Sequence, residues 1–321
     1  MQGVCIIGTR RSGSNLLRLI LHQHPEIVAP HPPHFLTHFS PHLSAYRGQA
    51  QPLLLDMLAL LKRNLVPWPG PIPSMERILQ EVPEAGLSAI MMAIYAELAR
   101  ANGASCWVNK SLAHVHHLDA LEYADQRIKY IYLYRDPRAV VASFQQIPVG
   151  PKHPILLAQK WVQEQKIALN WQKKTEPDRF FSLSYEKLIH DPGTSLEPLF
   201  QFIGHEFDPN FLTFNRSVEA SHTASAGQMW ANVANPIQRH PKVQLDESSI
   251  RWVEQICGEL MQTLGYALTF PIEKQALPDI QRVIRQDTQL RQAAFARLPH
   301  SEKQKRKALQ RFIDSLPTPT Y

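Results

Sequence analysis

Cysteine is scarce in this sequence, and long apolar runs are missing from it. The three cysteines, Cys5, Cys106 and Cys257, lie far apart and are odd in number. That pattern argues against a disulfide framework or a zinc knuckle, and it favours a reducing compartment. The longest apolar run, residues 53–61, is too short for a membrane span and contains Asp56. We therefore expect no membrane span.

We also expect no secretory or transit peptide at the start of this sequence. The apolar run of the first predicted strand begins at Val4, which leaves no room ahead of it for a secretory or transit peptide. Together with the cysteine content, this predicts a cytoplasmic protein.

The excess of positive charge is confined to one end of the chain. The formal net charge is +6, and residues 271–321 contribute +5 of it, with ten Lys and Arg against five Asp and Glu. The remainder is nearly neutral, so we expect no nucleic-acid partner. Helical periodicity broken near Pro299 predicts that residues 271–321 are a basic helical C-terminal extension. It is either a solvated tail or an electrostatic handle for an anionic acceptor, a membrane surface or a partner.

Short β-branched and aromatic runs alternate with helical segments ahead of the extension. The runs begin at residues 4, 106, 129 and 180. This alternation predicts an α/β fold with a mostly parallel central sheet flanked by helices, in one domain over residues 1–270. In such sheets, ligands bind beyond the carboxyl ends of the strands.

A long segment rich in proline and histidine, residues 29–76, follows the first predicted helix. An insertion of this length is expected to form a lid or wall on the substrate side of the domain. Plain irregular packing is the alternative.

The first predicted strand leads into the sequence GTRRSGSN at residues 8–15. A strand, a glycine turn and a helix start gather backbone N–H groups around one point, where the helix dipole also favours an anion. Gly8 and Gly13 suit the turn. The other donors and charges of the loop are Arg10, Arg11, Ser12 and Ser14. The loop therefore predicts an anion site.

This loop differs from the phosphate loop of nucleoside-triphosphate enzymes. Those loops carry a lysine after the second glycine and then a hydroxyl that binds Mg²⁺. Here Ser14 stands in the place of the lysine and Asn15 in the place of the hydroxyl. The departure argues against a triphosphate ligand.

A second candidate anion contact lies in the sequence YIYLYRDPRAVVASF at residues 130–144. Arg135 ends a predicted strand and Ser143 lies on the following helix, so both side chains can reach one anion at the carboxyl edge of the sheet. The alternative is structural, with Arg135 paired to Asp136 and Ser143 on a small-residue packing face.

The two motifs together resemble sulfotransferases that use 3′-phosphoadenosine 5′-phosphosulfate (PAPS) and release 3′-phosphoadenosine 5′-phosphate (PAP). The resemblance implies the P-loop-like sulfotransferase fold. It also implies that the first loop holds the 5′-phosphosulfate, while Arg135 and Ser143 hold the 3′-phosphate. The loop residues implied in this role are Arg10, Arg11, Ser12, Gly13, Ser14 and Asn15. Family loops usually carry proline where this chain has Arg10, which leaves open whether Arg10 or Arg11 reaches the sulfuryl group; position favours Arg11.

Three further segments are similar to parts of that family. WVNKS resembles a central strand that ends in a lysine, here Lys110. FFSLSYEKL resembles a segment with a Tyr-Glu pair, and MWANVANPI lies where a cofactor-covering loop is expected. The match therefore implies cofactor contacts for Tyr185 and Trp230. It spans residues 1 to about 268 and leaves the extension without a counterpart.

The chemistry implied is in-line transfer of a sulfuryl group to a hydroxyl or amine without a metal. Arg11 and Lys110 are implied to neutralise the charge that grows on the leaving oxygen. In similar enzymes a glutamate or histidine after the first helix removes the acceptor proton, and here His34 and then His31 are the candidates. Glu26 is a further carboxylate candidate.

Several alternatives stay open at this stage. The run HVHH at residues 114–117 lacks supporting cysteines or carboxylates, so no metal site is expected. The acceptor, whether a carbohydrate, a lipid or a small metabolite, and the oligomeric state are open. The competing functions are a small-molecule kinase with a degenerate phosphate loop and a non-enzymatic anion- or nucleotide-binding module.

Overall fold

A single parallel sheet organises the structure. The computed structural model describes residues 1–82, 86–237, 245–272 and 276–318. Its five strands run in the order β2-β3-β1-β4-β5, and every neighbouring pair is parallel. The strands are β1 (Gln2–Gly8), β2 (Ile27–Val28), β3 (Cys106–Asn109), β4 (Lys129–Tyr134) and β5 (Phe180–Ser184). The predicted α/β fold with its mostly parallel sheet is confirmed.

Helices cover both faces of this sheet. They are α1 (Ser14–Leu21), α2 (Phe35–Phe39), α3 (Ala50–Leu61), α4 (Met75–Glu81), α5 (Leu87–Ala101), α6 (Leu118–Ala124), α7 (Pro137–Gln146), α8 (Pro154–Gln172), α9 (Tyr185–His190), α10 (Pro192–Ile203), α11 (Val218–Ser225), α12 (Glu247–Thr263), α13 (Ile280–Ala296) and α14 (His300–Asp314). Short 3₁₀ segments include Leu112–His116 and Gln228–Ala234. Within the described ranges, every helix is too short or too polar to span a bilayer.

The central strand β1 is apolar from Val4 to Ile7 because both of its faces are buried there. Val4 and Ile6 join the core that contains α1, while Cys5 and Ile7 join the core that contains α5. Strands covered by helices on both sides read as continuous apolar runs, which is why the sequence revealed this one. The two-residue strand β2 was not predicted, because so short a segment shows no pattern.

The insertion at residues 29–76 is mostly helical. It holds α2, α3 and the start of α4, and Leu54, Met57 and Leu61 of α3 are buried in the core beside α5. Helix α3 therefore contributes to the core of the domain. The stretch ahead of α2 carries His31 and His34, which lie with Arg10 and Lys110 at the carboxyl edge of the sheet.

The carboxyl ends of the strands meet at one edge. Strand β1 lies between β3 and β4. The strands β2 and β3 lie on one side of β1, and the later strands β4 and β5 lie on its other side, so the strand order reverses at β1. A crevice forms at such a switch point, between the loops that follow the strands. The loops after β1, β3 and β4 carry Arg11, Lys110 and Arg135, and α9, which follows β5 directly, begins at Tyr185.

Candidate active site

The loop between β1 and α1 has a backbone that only some residues tolerate. Arg11 and Gly13 are left-handed, with φ of 74° and 88°. A Cβ on Gly13 would lie 2.2 Å from the ring of Tyr185, and one on Gly8 would lie 2.2 Å from the carbonyl oxygen of Leu133. Both glycines are therefore required by close approach as well as by conformation.

This loop presents polar groups that lack a protein partner. The first N–H groups of α1 have no intrahelical acceptor, as at every helix start. Ser12 Oγ, Asn15 Oδ1 and Arg135 Nε are buried without a hydrogen-bond partner among the described residues. Buried polar atoms are nearly always satisfied, so the unpaired atoms of Asn15 and Arg135, which both line a cavity, favour a polar ligand there.

The predicted mid-chain contacts converge on this loop. Arg11 Nε donates to Ser143 Oγ at 3.0 Å, and Arg135 Nη1 donates to the carbonyl oxygen of Arg11 at 2.9 Å. Asp136 forms its ion pair with Arg138, at 2.6 Å, and not with Arg135. The guanidinium of Arg135 thus has no carboxylate partner among the described residues, and it lines a cavity at this edge of the sheet.

Tyr185 supports both Arg135 and the loop. Its ring lies 4.2 Å below the Arg135 guanidinium and also packs against Gly13. The next residue, Glu186, accepts hydrogen bonds from the N–H of Asp136 at 3.0 Å and from the hydroxyl of Tyr266 at 2.8 Å. The Tyr-Glu pair therefore fixes the end of β5 to the end of β4.

Two adjoining cavities lie at this edge. The loop cavity, of about 330 Å³, includes seven residues predicted to bind cofactor. They are Arg11, Gly13, Ser14, Asn15, Arg135, Ser143 and Tyr185. The histidine cavity, of about 200 Å³, is lined by the predicted residues Arg10, Arg11, Ser14, Asn15, His31, His34, Lys110 and Trp230. Arg11, Ser14 and Asn15 line both cavities, so the two cavities adjoin at the start of α1.

Ser12, Arg10 and Trp230 are placed differently from the rest of the predicted cofactor set. Ser12 is fully buried and lines neither cavity. Arg10 and Trp230 line the histidine cavity and not the loop cavity.

Positive charge dominates the histidine cavity. Lys110 is 7% exposed, and its pKa is held well below the usual range by burial and by the charges of nearby arginines, among them Arg10 and Arg11. Burial and the charge of Arg135 lower the pKa of Arg11 to about 10. Within the described ranges these cations form no ion pair with a carboxylate. An anion placed between them would be strongly favoured.

His34 and His31 have different surroundings. His34 opens α2 with a left-handed φ of 58°, and its Nδ1 lies 3.0 Å from Ser111 Oγ. His31 is buried, its ring meets Trp230 edge-on at 5.0 Å, and both ring nitrogens lack a partner among the described residues. Burial, with nearby positive charge, lowers both histidine pKa values well below their usual range. Both rings are therefore neutral at neutral pH.

Glu26 does not reach this site. It precedes β2 at the opposite edge of the sheet, where its carboxylate accepts a hydrogen bond from Ser105 Oγ at 2.7 Å. The carboxylate candidate of the sequence analysis is thus separated from the cavities by the sheet itself.

Arg18 is a structural residue that sequence reasoning missed. It is fully buried on α1, forms an ion pair with Glu219 of α11 at 2.8 Å, and donates to Thr223 and to the carbonyl of Ala29. Its only signal was a charge inside the apolar run NLLRLIL. Across the described parts of the chain, no cluster of three His, Cys, Asp or Glu residues could hold a metal ion.

Comparison with known proteins finds similar chains among solved structures. A sulfotransferase domain of the Synechococcus PCC 7002 olefin synthase is 22% identical, over 83% of this chain and 95% of that chain, with a TM-score of 0.53. A sulfotransferase domain from the curacin biosynthetic pathway is 21% identical, over 89% and 97%, with a TM-score of 0.49. A sulfotransferase of Mycobacterium avium is 15% identical, over 84% and 78%, with a TM-score of 0.47.

The likeness to the olefin synthase domain supports the P-loop-like sulfotransferase fold. The model described as the sulfotransferase family matches residues 3–209, which is more than half of the chain. The matched region includes the loop after β1, Lys110, Arg135 and Tyr185. The chain therefore belongs to the sulfotransferase family.

Proposed function

We propose that this sulfotransferase moves a sulfuryl group from PAPS to a hydroxyl or amine of a small acceptor. The observation that carries the proposal is that Arg11, Ser14 and Asn15 line both of the adjoining cavities. One cavity offers anion contacts for a nucleotide, and the other offers neutral histidines and a buried lysine. A group bound across this junction would touch both sets.

The loop cavity suits a nucleotide with phosphates at both ends of its ribose. Arg135, with Ser143 close by, is assigned to the 3′-phosphate, because Arg135 has no carboxylate partner and its Nε is unpaired among the described residues. The loop and the start of α1 are assigned to the 5′-phosphosulfate, where unpaired N–H groups and the helix dipole favour an anion.

Lys110 and Arg11 stand where the sulfuryl group would be transferred. In the reaction the bond between sulfur and the bridging phosphate oxygen breaks, and a bond between sulfur and the acceptor atom forms. Negative charge grows on the departing oxygen, and the two cations can stabilise it. Burial and neighbouring positive charge lower the pKa values of both groups, and a bound anion would offset part of that effect.

His34 is our first choice for the base that takes the acceptor proton. A neutral imidazole can accept it, and the incoming anion would raise the depressed pKa toward a useful value. The left-handed backbone of His34 is a strain of the kind that clusters at functional sites. His31, with both ring nitrogens free of protein partners among the described residues, is the second choice.

The proposal is tested with two labelled donors and one mixed pool of alcohols, sugars, sterols and amines. We expect label to pass from ³⁵S-PAPS to the pool in the presence of EDTA, and none to pass from γ-³²P-ATP with Mg²⁺. Transfer from ATP alone would instead support the kinase alternative. Tight PAP binding without any transfer would support the non-enzymatic one.

The compartment stays a prediction. All three cysteines are buried and free, as a reducing environment would allow. Fractionation of cells that express the chain tests the expected cytoplasmic location.

A further inference from the structure

Two buried carboxylates belong to the C-terminal extension and point toward the site. Asp287 of α13 is 4% exposed and Glu302 of α14 is 6% exposed. Buried carboxylates are costly unless hydrogen bonds and opposite charges compensate them. Their partners are therefore informative, and in both cases the partners include backbone N–H groups next to a cavity wall.

Asp287 holds the wall that follows α7. Its Oδ1 accepts hydrogen bonds from the N–H of Lys152 at 2.6 Å and from that of the next residue at 2.8 Å. Lys152 Nζ in turn donates to the carbonyl oxygens of Phe144, Ile147 and Val149, at 2.8, 2.6 and 3.1 Å. Those three residues line the histidine cavity. Helix α13 is thus connected to this wall through one buried lysine.

Glu302 holds the opposite wall. Its Oε2 accepts from the N–H of Gln228 at 3.0 Å, and its Oε1 accepts from Arg306 at 2.7 Å. The Arg306 guanidinium also lies 5.7 Å from the ring centre of Trp230. A Cβ on Gly227 would lie 2.7 Å from Glu302 Oε1, so the carboxylate packs closely against the Gly227 backbone.

The wall that Glu302 holds serves both cavities. Gln228 and Met229 line the loop cavity, while Met229 and Trp230 line the histidine cavity. Trp230 also packs on the ring of His31. A shift of this segment would therefore change the nucleotide contacts and the acceptor contacts together.

We propose that the C-terminal extension positions the site. Asp287 is the positioning residue for the wall at residues 144–150, and Glu302 is the positioning residue for the wall at residues 227–234. The inference rests on the proposed function. The extension lies beyond the region that the family model matches. The proposal differs from both interpretations of the sequence, in which the extension is a solvated tail or an electrostatic handle.

The test compares Glu302→Ala, Glu302→Gln and Asp287→Asn with a control, Asp314→Asn. Asp314 is an exposed α14 carboxylate whose hydrogen bond is to Gln310 on the same helix. For each variant we would measure the melting temperature, PAP affinity, acceptor KM and kcat, and amide hydrogen exchange of residues 144–150 and 227–234.

We expect Glu302→Ala to raise the PAP Kd and the acceptor KM about tenfold, since displaced positioning groups can cost up to ~100-fold. Asp287→Asn should mainly raise the acceptor KM and speed exchange at 144–150. Glu302→Gln keeps an acceptor for the Gln228 N–H and should restore most of the affinity. The control should match the wild type.

Unchanged Kd, KM and loop exchange in both the Glu302→Ala and Asp287→Asn proteins, below their melting temperatures, would overturn the inference. If Glu302→Ala does not fold, Arg306→Gln provides the second test, because it removes the ion pair and the contact with Trp230. A wild-type protein that binds no PAP would refute the proposed function instead. In that case, amide hydrogen exchange of residues 144–150 and 227–234 in the variants would still test the positioning role.

Discussion

Replacing Arg135 with alanine should separate the two phosphate subsites. In the structure this guanidinium donates to the Arg11 carbonyl, stacks on Tyr185 and keeps Nε without a partner among the described residues. If it holds the 3′-phosphate, Arg135→Ala should weaken PAP far more than adenosine 5′-phosphate, which has no such group.

The size of the effect follows from the charged hydrogen bond that the substitution removes. A hydrogen bond to a charged group is worth roughly 1.5–3 kcal/mol, which corresponds to about a 10- to 150-fold rise in Kd. Adenosine 5′-phosphate should weaken by only a few-fold, because the Arg11 carbonyl would no longer be supported. Arg135→Lys keeps the charge without the planar fork and should lie between the two.

Calorimetric titration of PAP and adenosine 5′-phosphate in EDTA measures this difference. Arg127→Ala is the matched control, since Arg127 is mostly exposed and pairs locally with Asp125. It changes the net charge equally and should leave both affinities unchanged. Equal weakening of the two ligands by Arg135→Ala would refute the assignment.

Three further predictions concern the loop and the histidines. Gly13→Ala should weaken PAP more than tenfold and destabilise the fold by ~1–3 kcal/mol, because it strains a left-handed residue and meets the Tyr185 ring; affinity and denaturant titrations measure both. His34→Gln should lower the single-turnover rate by ~10²–10⁴-fold with PAP affinity nearly unchanged, and wild-type rates in both His34→Gln and His31→Gln would end the histidine-base hypothesis. Burial lowers the pKa of His114 to about 3, so the unfolded chain binds its proton first and stability should fall between pH ~6.5 and ~3. Denaturant titrations should show a flatter pH dependence for His114→Leu, and an unchanged profile would contradict the buried neutral ring.

The sequence revealed the parts of the site that follow strands. Arg11, Lys110, Arg135 and Tyr185 each come just after a run with a clear strand pattern, and parallel strands end at one edge. Their convergence could therefore be predicted without coordinates. Which cavity each residue lines depends on side-chain directions, and Trp230 shows that sequence order alone does not give them.

Other features had no local pattern to reveal them. Arg18 and Glu219 meet across two helices that are far apart in sequence, and each helix alone shows only an isolated charge. Helix α3 is buried on most sides, so its apolar run lacks the periodicity of a surface helix. Asp287 and Glu302 looked like ordinary charges on a basic surface helix, because their backbone partners become neighbours only after folding.

Strand β1 precedes the other strands in the chain and is also the central strand of the sheet. Val4 pairs with Val108 on one side and with Lys129 on the other, so β1 has no strand partner until those later segments have left the ribosome. Such non-local pairings are slow to form, and an unpaired apolar strand is prone to aggregate while it waits. The loop between β1 and α1 is therefore synthesised before the sheet that supports it has formed. The contacts that Asp287 and Glu302 make with the cavity walls can form only after α13 and α14 have been synthesised, so the site is completed last.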